Sequence, residues 1–200
     1  MTDLTLHMEL TDEAYSVLKR DGILLNAPDL IGDHDWLPAY EWLTLKMLER
    51  LPAPSSDWKP WPLWAWLRID GKDKGFRISE PGNWMLKFRK PANQVLLTDY
   101  MKWHSPLNLS WLTDYAADEA AADREYDEFQ ELLAKAGLIG VHELIEKSKH
   151  ENNHQHLLDT LHRSWDRVFD VENAGTVQAT FWQLDQREVI SARQKSKTAG

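Results

Sequence analysis

The chain of 200 residues contains no cysteine. A disulfide framework, a thiolate metal site and covalent catalysis by a thiol are therefore excluded, and the composition fits a reducing cytosol. Long hydrophobic runs are missing too, since nothing approaches the roughly 20 apolar residues of a membrane span. The opening "MTDLTLHMEL" has no basic region followed by an apolar stretch, so the expectation is a cytoplasmic protein with no membrane attachment. Positive charge is scarce: 23 basic side chains face 32 acidic ones, for a formal net charge of −9. That balance opposes nonspecific attraction to a nucleic-acid backbone and argues against nucleic acid as a partner. The two basic stretches, "LKFRKP" (86–91) and "ARQKSK" (192–197), read as a solvated strand end and a frayed tail. A Gly-rich phosphate loop, a GxSxG elbow and a CxxC element are also absent.

What the chain has in quantity is tryptophan, eleven residues in all. Four of them fall in "WKPWPLWAWLRID", residues 58–70. A chain of this length can bury most of the apolar surface that its unfolded form exposes, so no covalent or metal staple is needed.

Periodicity gives the organisation. Leu4, Leu6, Met8 and Leu10 alternate with Thr5, His7 and Glu9, as in a half-buried strand. Thr11 then caps a helix with Asp12 and Glu13 in its first turn, Ala14, Val17 and Leu18 on its buried stripe and Gly22 as its stop. Trp36, Tyr40, Leu43, Met47 and Leu51 recur at helical spacing, before a Pro- and Ser-rich connection that ends the helix. Leu63–Asp70 and Trp84–Arg89 read as strands around the turn-rich "DGKDKG", and "QVLLT" is a further short apolar run. From about Thr113 to Phe169 the composition is helical, with one stripe of Phe129, Leu132, Leu133 and Ala136 stopping at Gly137. A second stripe holds Leu144, Ile145, Leu157, Leu161, Trp165 and Phe169. "GTVQATFWQLDQREV" returns to strand character. The expectation is one α+β domain over residues 1–192 with a disordered tail at 193–200. Its sheet is mixed but largely antiparallel, with helices on its faces and a helical segment inserted before the last strand.

Five segments together, "PLWAWLRID", "QVLLTDYMKWHSPLN", "SWDRVF", "QATFWQLDQREV" and the opening strand with "VLKRDGIL", resemble a bacterial family known as domain of unknown function 3841. The similarity spans nearly the whole chain and rests on its Trp-Ala-Trp, Thr-Asp-Tyr-x-x-Trp-His and Gln-Ala-Thr-Phe-Trp elements. The first strand departs from the pattern: an aromatic-Thr-x-Gln run is expected and "LHME" stands there. The resemblance identifies relatives without implying a reaction. A more remote likeness connects the opening strand and helix and the late "QATFWQLDQREV" strand with ADP-ribosyltransferase-like folds, in which NAD lies across a split sheet. Those enzymes commonly carry a glutamate near the position of Thr180 or Gln178, and none is present. This likeness implies NAD or nucleotide binding without transfer of ADP-ribose.

The candidate residues follow from these segments. On the strand from Leu63, Trp64, Trp66 and Arg68 share one face while Leu63, Ala65, Leu67 and Ile69 share the other. Either this is a central strand whose indoles fill volume, or Trp64 or Trp66 stacks a planar ligand while Arg68 holds a phosphate or carboxylate. At least one tryptophan is expected to be deeply buried. In "TDYMKWHSPLN" a helical turn puts Asp99 and Trp103 on one face and Tyr100 and His104 on the next. His104 beside Asp99 suits general acid–base work, whereas a histidine at a helix end also commonly bonds a carbonyl. "HENNHQHLLDTLH" reads as a solvated polar stretch rather than a metal site, because no HExxH order is present. Gln178 and Thr180 give the late strand a polar face, either tied into the sheet or left to meet a ligand. The leading expectation is a small-ligand-binding domain, with or without catalysis, whose aromatic pocket is built from Trp64, Trp66 and Trp103. Arg68, Asp99, His104, Gln178 and Thr180 are its polar groups, with no metal. The rival is a protein-interaction module of the toxin-system or phage-related kind, with exposed Trp58 and Trp61 as its anchors.

Overall fold

The computed structural model describes residues 2–28, 34–53, 61–75, 79–114 and 118–196. The chain opens with strand β1 (Asp3–Leu10), helix α1 (Asp12–Asp21) and strand β2 (Ile23–Leu25). The boundaries of α1 are locally encoded: the Thr11 side chain accepts a hydrogen bond from Ala14 N, and Gly22 closes the helix in the left-handed region at φ 77°. Then come α2 (Leu37–Arg50), β3 (Leu63–Arg68), β4 (Trp84–Pro91), β5 (Leu96–Asp99) and α3 (Tyr100–Leu107). A helical stretch, α4 (Glu119–Lys135), α5 (Val141–Ser148) and α6 (Gln155–Trp165), precedes β6 (Val177–Phe181), β7 (Gln183–Asp185) and β8 (Val189–Gln194).

Six strands form one sheet in the order β5-β6-β3-β1-β4-β8, while β2 and β7 pair separately. Each of these pairings is antiparallel. The fold is therefore a single α+β domain. The late strand β6 does not close an edge, because it is inserted between β3 and β5. Two further strands follow it, and β8 runs to Gln194, past the expected boundary at residue 192. Residues 197–200 of the expected tail lie outside the described residues.

Both faces of the sheet carry a core. On one, Leu6, Met8, Leu63, Ala65, Leu86, Phe88, Ala179 and Phe181 pack with Leu18 of α1 and with Leu24 and Leu184 of the β2–β7 ribbon. On the other, Leu96 and Trp64 meet the helical layer, whose centre holds Trp42, Trp103, Phe129, Leu133, Leu161 and Trp165. Trp165 is fully buried, and its indole N–H donates to Ser110 O at 2.7 Å. Two expectations fail here. The stripe on α4 excludes Leu132, which is 43% exposed, and the second stripe belongs to two helices separated by a 3-10 turn at Asn152–His154. Asparagines interrupt that helix because their side chains compete for backbone hydrogen bonds.

The polar positions of β1 are covered by the segment between β3 and β4. His7 Nε2 meets Asp73 at 2.9 Å, and Glu9 accepts hydrogen bonds from Ser79 N, Ser79 Oγ and Asn83 Nδ2. Burial pushes the Glu9 carboxyl up, but these hydrogen bonds outweigh it and hold the group below its ordinary value. Glu9, which stands where the resemblance led to an expected glutamine, works as a tether for this segment. Gly75 makes the close approach: a Cβ there would lie 2.8 Å from His7 Cβ and 2.9 Å from Met85 Sδ. Gly75→Ala is therefore expected to lower stability by about 1–3 kcal/mol, read from the denaturant midpoint. A wild-type midpoint would show that the segment does not press on the sheet. Among the described residues no helix is long and apolar enough to cross a membrane.

Candidate functional site

The sheet face under the helices carries a cross-strand row of Trp66, Gln178 and Thr98 beside a second row of Trp64, Thr180 and Leu96. This register follows from the period-two alternation of β3, β5 and β6. Over it lie α2 and α3, and between sheet and helices is a groove of about 460 Å³. Trp36, Tyr40, Trp64, Tyr100, Trp103, His104, Leu107, Asn108 and Gln178 line it. Four of the residues expected from sequence, Trp64, Trp103, His104 and Gln178, thus converge in one concavity.

Its walls are aromatic. Trp64 lies 5.2 Å from Trp103, and Tyr40 makes edge contacts with both at 5.8 and 5.9 Å between ring centroids. Tyr100 packs on His104 at 4.7 Å and on Trp66 at 5.3 Å. Burial pushes the Tyr40 phenol above its ordinary value, so its hydroxyl stays protonated. Two polar atoms of residues that line the groove are buried with no hydrogen-bond partner: the indole Nε1–H of Trp64 and the Oε1 of Gln178. The hydroxyl of Thr98, opposite Gln178 in the row, has none either. An unmet donor and an unmet acceptor are costly in a dry setting, which makes them candidates to be met by a ligand.

The remaining expected residues have other work. Arg68 donates from Nε to Ala174 O at 3.1 Å and from Nη2 to Val171 O at 2.9 Å, so its guanidinium secures the approach to β6 and does not line the groove. Thr180 is buried, and its hydroxyl donates to Leu96 O. Asp99 caps α3, accepting from Met101 N and Lys102 N. His104 Nδ1 lies 2.9 Å from Tyr100 O. Since a carbonyl can only accept, Nδ1 carries the proton in this contact. The expected Asp99–His104 dyad is not formed: the carboxylate is spent on backbone N–H groups and the imidazole on a carbonyl. Trp66 is half-buried against Tyr100 beside the groove. Trp61, expected to be exposed, is only 3% exposed and stacks on Tyr40, so it anchors nothing outside the fold. Trp58 lies outside the described residues. Sequence reasoning missed Tyr40, Tyr100, Trp36, Leu107 and Asn108 as lining residues.

A family model described as domain of unknown function (DUF3841) matches residues 6–190. The chain belongs to the DUF3841 family. Comparison with the curated proteins and with the solved structures gives no match, and the more remote likeness to ADP-ribosyltransferase-like folds is not shown. For this DUF3841 member the chemistry must therefore be argued from the groove. Among its described lining residues there is no lysine, arginine or carboxylate. Such a surface suits an uncharged, planar group better than a phosphate.

Proposed function

We propose that the protein binds a small molecule through a planar heteroaromatic ring, such as a nucleobase or nicotinamide, in the groove between β3, β6, α2 and α3. The observation that carries this reading is the pairing of the Trp64 donor with the Gln178 acceptor, both buried and both unmatched within one aromatic concavity. They sit on neighbouring strands as diagonal neighbours, with Cα atoms roughly 7–8 Å apart, within reach of one ring edge that carries both an acceptor and a donor. Tyr40 and Trp103 supply faces for the ring to pack on. Arg68 plays no part in holding a phosphate, so the free nucleoside or base carries most of the affinity of its nucleotide. His104 adds an imidazole to the described lining, and the reading is one of binding without an assigned reaction.

The test is a titration of protein carrying ¹⁵N-labelled tryptophan, in which each indole N–H gives its own signal. Nicotinamide, adenosine, uridine and AMP are the probes. The signal that disappears in Trp64→Phe is expected to move saturably with at least one of them, and adenosine and AMP are expected to respond alike. Gln178→Leu is expected to weaken binding roughly tenfold by removing the acceptor. If none of these rings perturbs the Trp64 signal, the groove is not their site.

A further inference from the structure

A second cavity, of about 340 Å³, lies at the junction of the two sheets and shares no residue with the aromatic groove. Its described lining is Ile23, Pro52, Ala53, Lys90, Gln94, Trp182 and Gln183. Lys90 is the unusual member. It follows Leu86 and Phe88 on the apolar face of β4 and is 2% exposed, with its ammonium 5.3 Å from the centre of the Phe181 ring. Nζ donates to both carboxylate oxygens of Glu188, at 2.8 and 2.9 Å. An ammonium has three N–H bonds, and among the described residues the third has no oxygen to meet. Glu188 itself is fixed from the far side, where its Oε2 accepts from Asp185 N, and it does not line the cavity.

Trp182 adds a second unmet donor, since its indole Nε1 is buried with no partner. Gln94 and Gln183 also line the cavity, and each brings a side-chain amide with two N–H donors. The described lining thus offers several donors, one of them the ammonium paired with Glu188, includes no carboxylate residue, and has an apolar side made by Ile23, Pro52 and Ala53. We propose that this cavity is a separate binding site for a small carboxylate with an apolar tail. The carboxylate accepts from the third N–H of Lys90, from Trp182 Nε1–H and from the glutamine amides, while the tail covers Ile23 and Pro52. Glu188 already balances the Lys90 charge, so the preference for a carboxylate rests on the unmet N–H donors, each of which bonds a charged acceptor more strongly than a neutral one. This site is independent of the groove and holds whether or not a ring binds there.

The experiment uses the full chain with ¹⁵N-labelled tryptophan, and hexanoate and hexanamide as probes of equal size. Hexanoate is expected to move the signal that vanishes in Trp182→Phe, saturably and at lower concentration than hexanamide by roughly tenfold, because a charged acceptor strengthens each bond. The Trp64 signal should stay in place. Lys90→Met alone leaves a carboxylate without its partner, so the binding variant is the double replacement Lys90→Met with Glu188→Leu, in which the pair is removed together. It is expected to lose the hexanoate response. An equal response to the amide, a response that survives the double replacement, or a Trp182 signal indifferent to hexanoate would each overturn the proposal.

Discussion

Glu188→Ala should destabilise the protein by about 3–5 kcal/mol, the loss expected when one partner of a buried ion pair is removed and the other charge is left behind. The stranded group is Lys90, whose side chain is 3% exposed and whose described oxygen partners are the two carboxylate atoms of Glu188. Glu188 also closes a capping box with Asp185, so the turn between β7 and β8 loosens in the same variant. The double replacement Lys90→Met with Glu188→Leu removes both charges and fills their volume with apolar groups. It should recover most of the loss, because the pair's attraction does little more than offset its desolvation. Urea unfolding of the three proteins at neutral pH is the measurement. A cost for Glu188→Ala of no more than about 1 kcal/mol, the size of a surface pair, would mean that water reaches the Lys90 ammonium.

Lys90 also marks a limit of sequence reading. "LKFRKP" is basic and suggested a solvated strand end, yet alternation places Leu86, Phe88 and Lys90 on one face, and that face is core. The signal was present in the period of two, but its partner lay 98 residues away, where nothing local points to it. By contrast α1 was fully legible, since Thr11 and Gly22 encode its ends through contacts within one turn. Asp99 was misread by comparison: it was taken as an acid–base partner of His104, whereas an aspartate directly before a helix is first a cap, and the structure uses it as one. Arg68 was not legible, because its acceptors are backbone carbonyls of Val171 and Ala174 that only the fold brings near. Strand alternation correctly grouped Trp64 with Trp66 and Gln178 with Thr180, but it could not place β6 between β3 and β5, since pairing order depends on non-local contacts. Tyr40 was assigned to a core stripe, and its four-residue spacing from Trp36, which directly precedes α2, could have flagged two aromatic rings on one side. Those two rings, with Trp64 and Trp103, make the groove.

The second large effect is expected from acid. His162 on α6 is held near a pKa of about 4, below its ordinary 6.5, first by burial and then by the positive charge of Lys46, against the opposing carboxylates of Asp159 and Asp166. Its ring lies between Trp42 at 6.2 Å and Trp165 at 5.2 Å, and Lys46 bonds to Asp166 beside it. The fold favours the neutral imidazole, whereas the unfolded chain takes up a proton near its ordinary value. The stabilisation is therefore complete above pH 6.5 and is lost as pH falls from 6.5 through about 4. Over that window the loss from this one residue amounts to about 3 kcal/mol. Carboxylates held low in the fold, such as Glu9 and Asp185, whose pKa falls to about 2 through its hydrogen bond from Arg187, also weaken the protein in acid. They titrate equally in a His162→Leu variant, so the difference between the two unfolding curves isolates the imidazole. That variant should lie close to wild type at neutral pH and become the more stable of the two as the pH approaches 4. Parallel curves across the window would show that His162 takes up its proton in the folded protein without hindrance, and that the space between α2, α5 and α6 is wet.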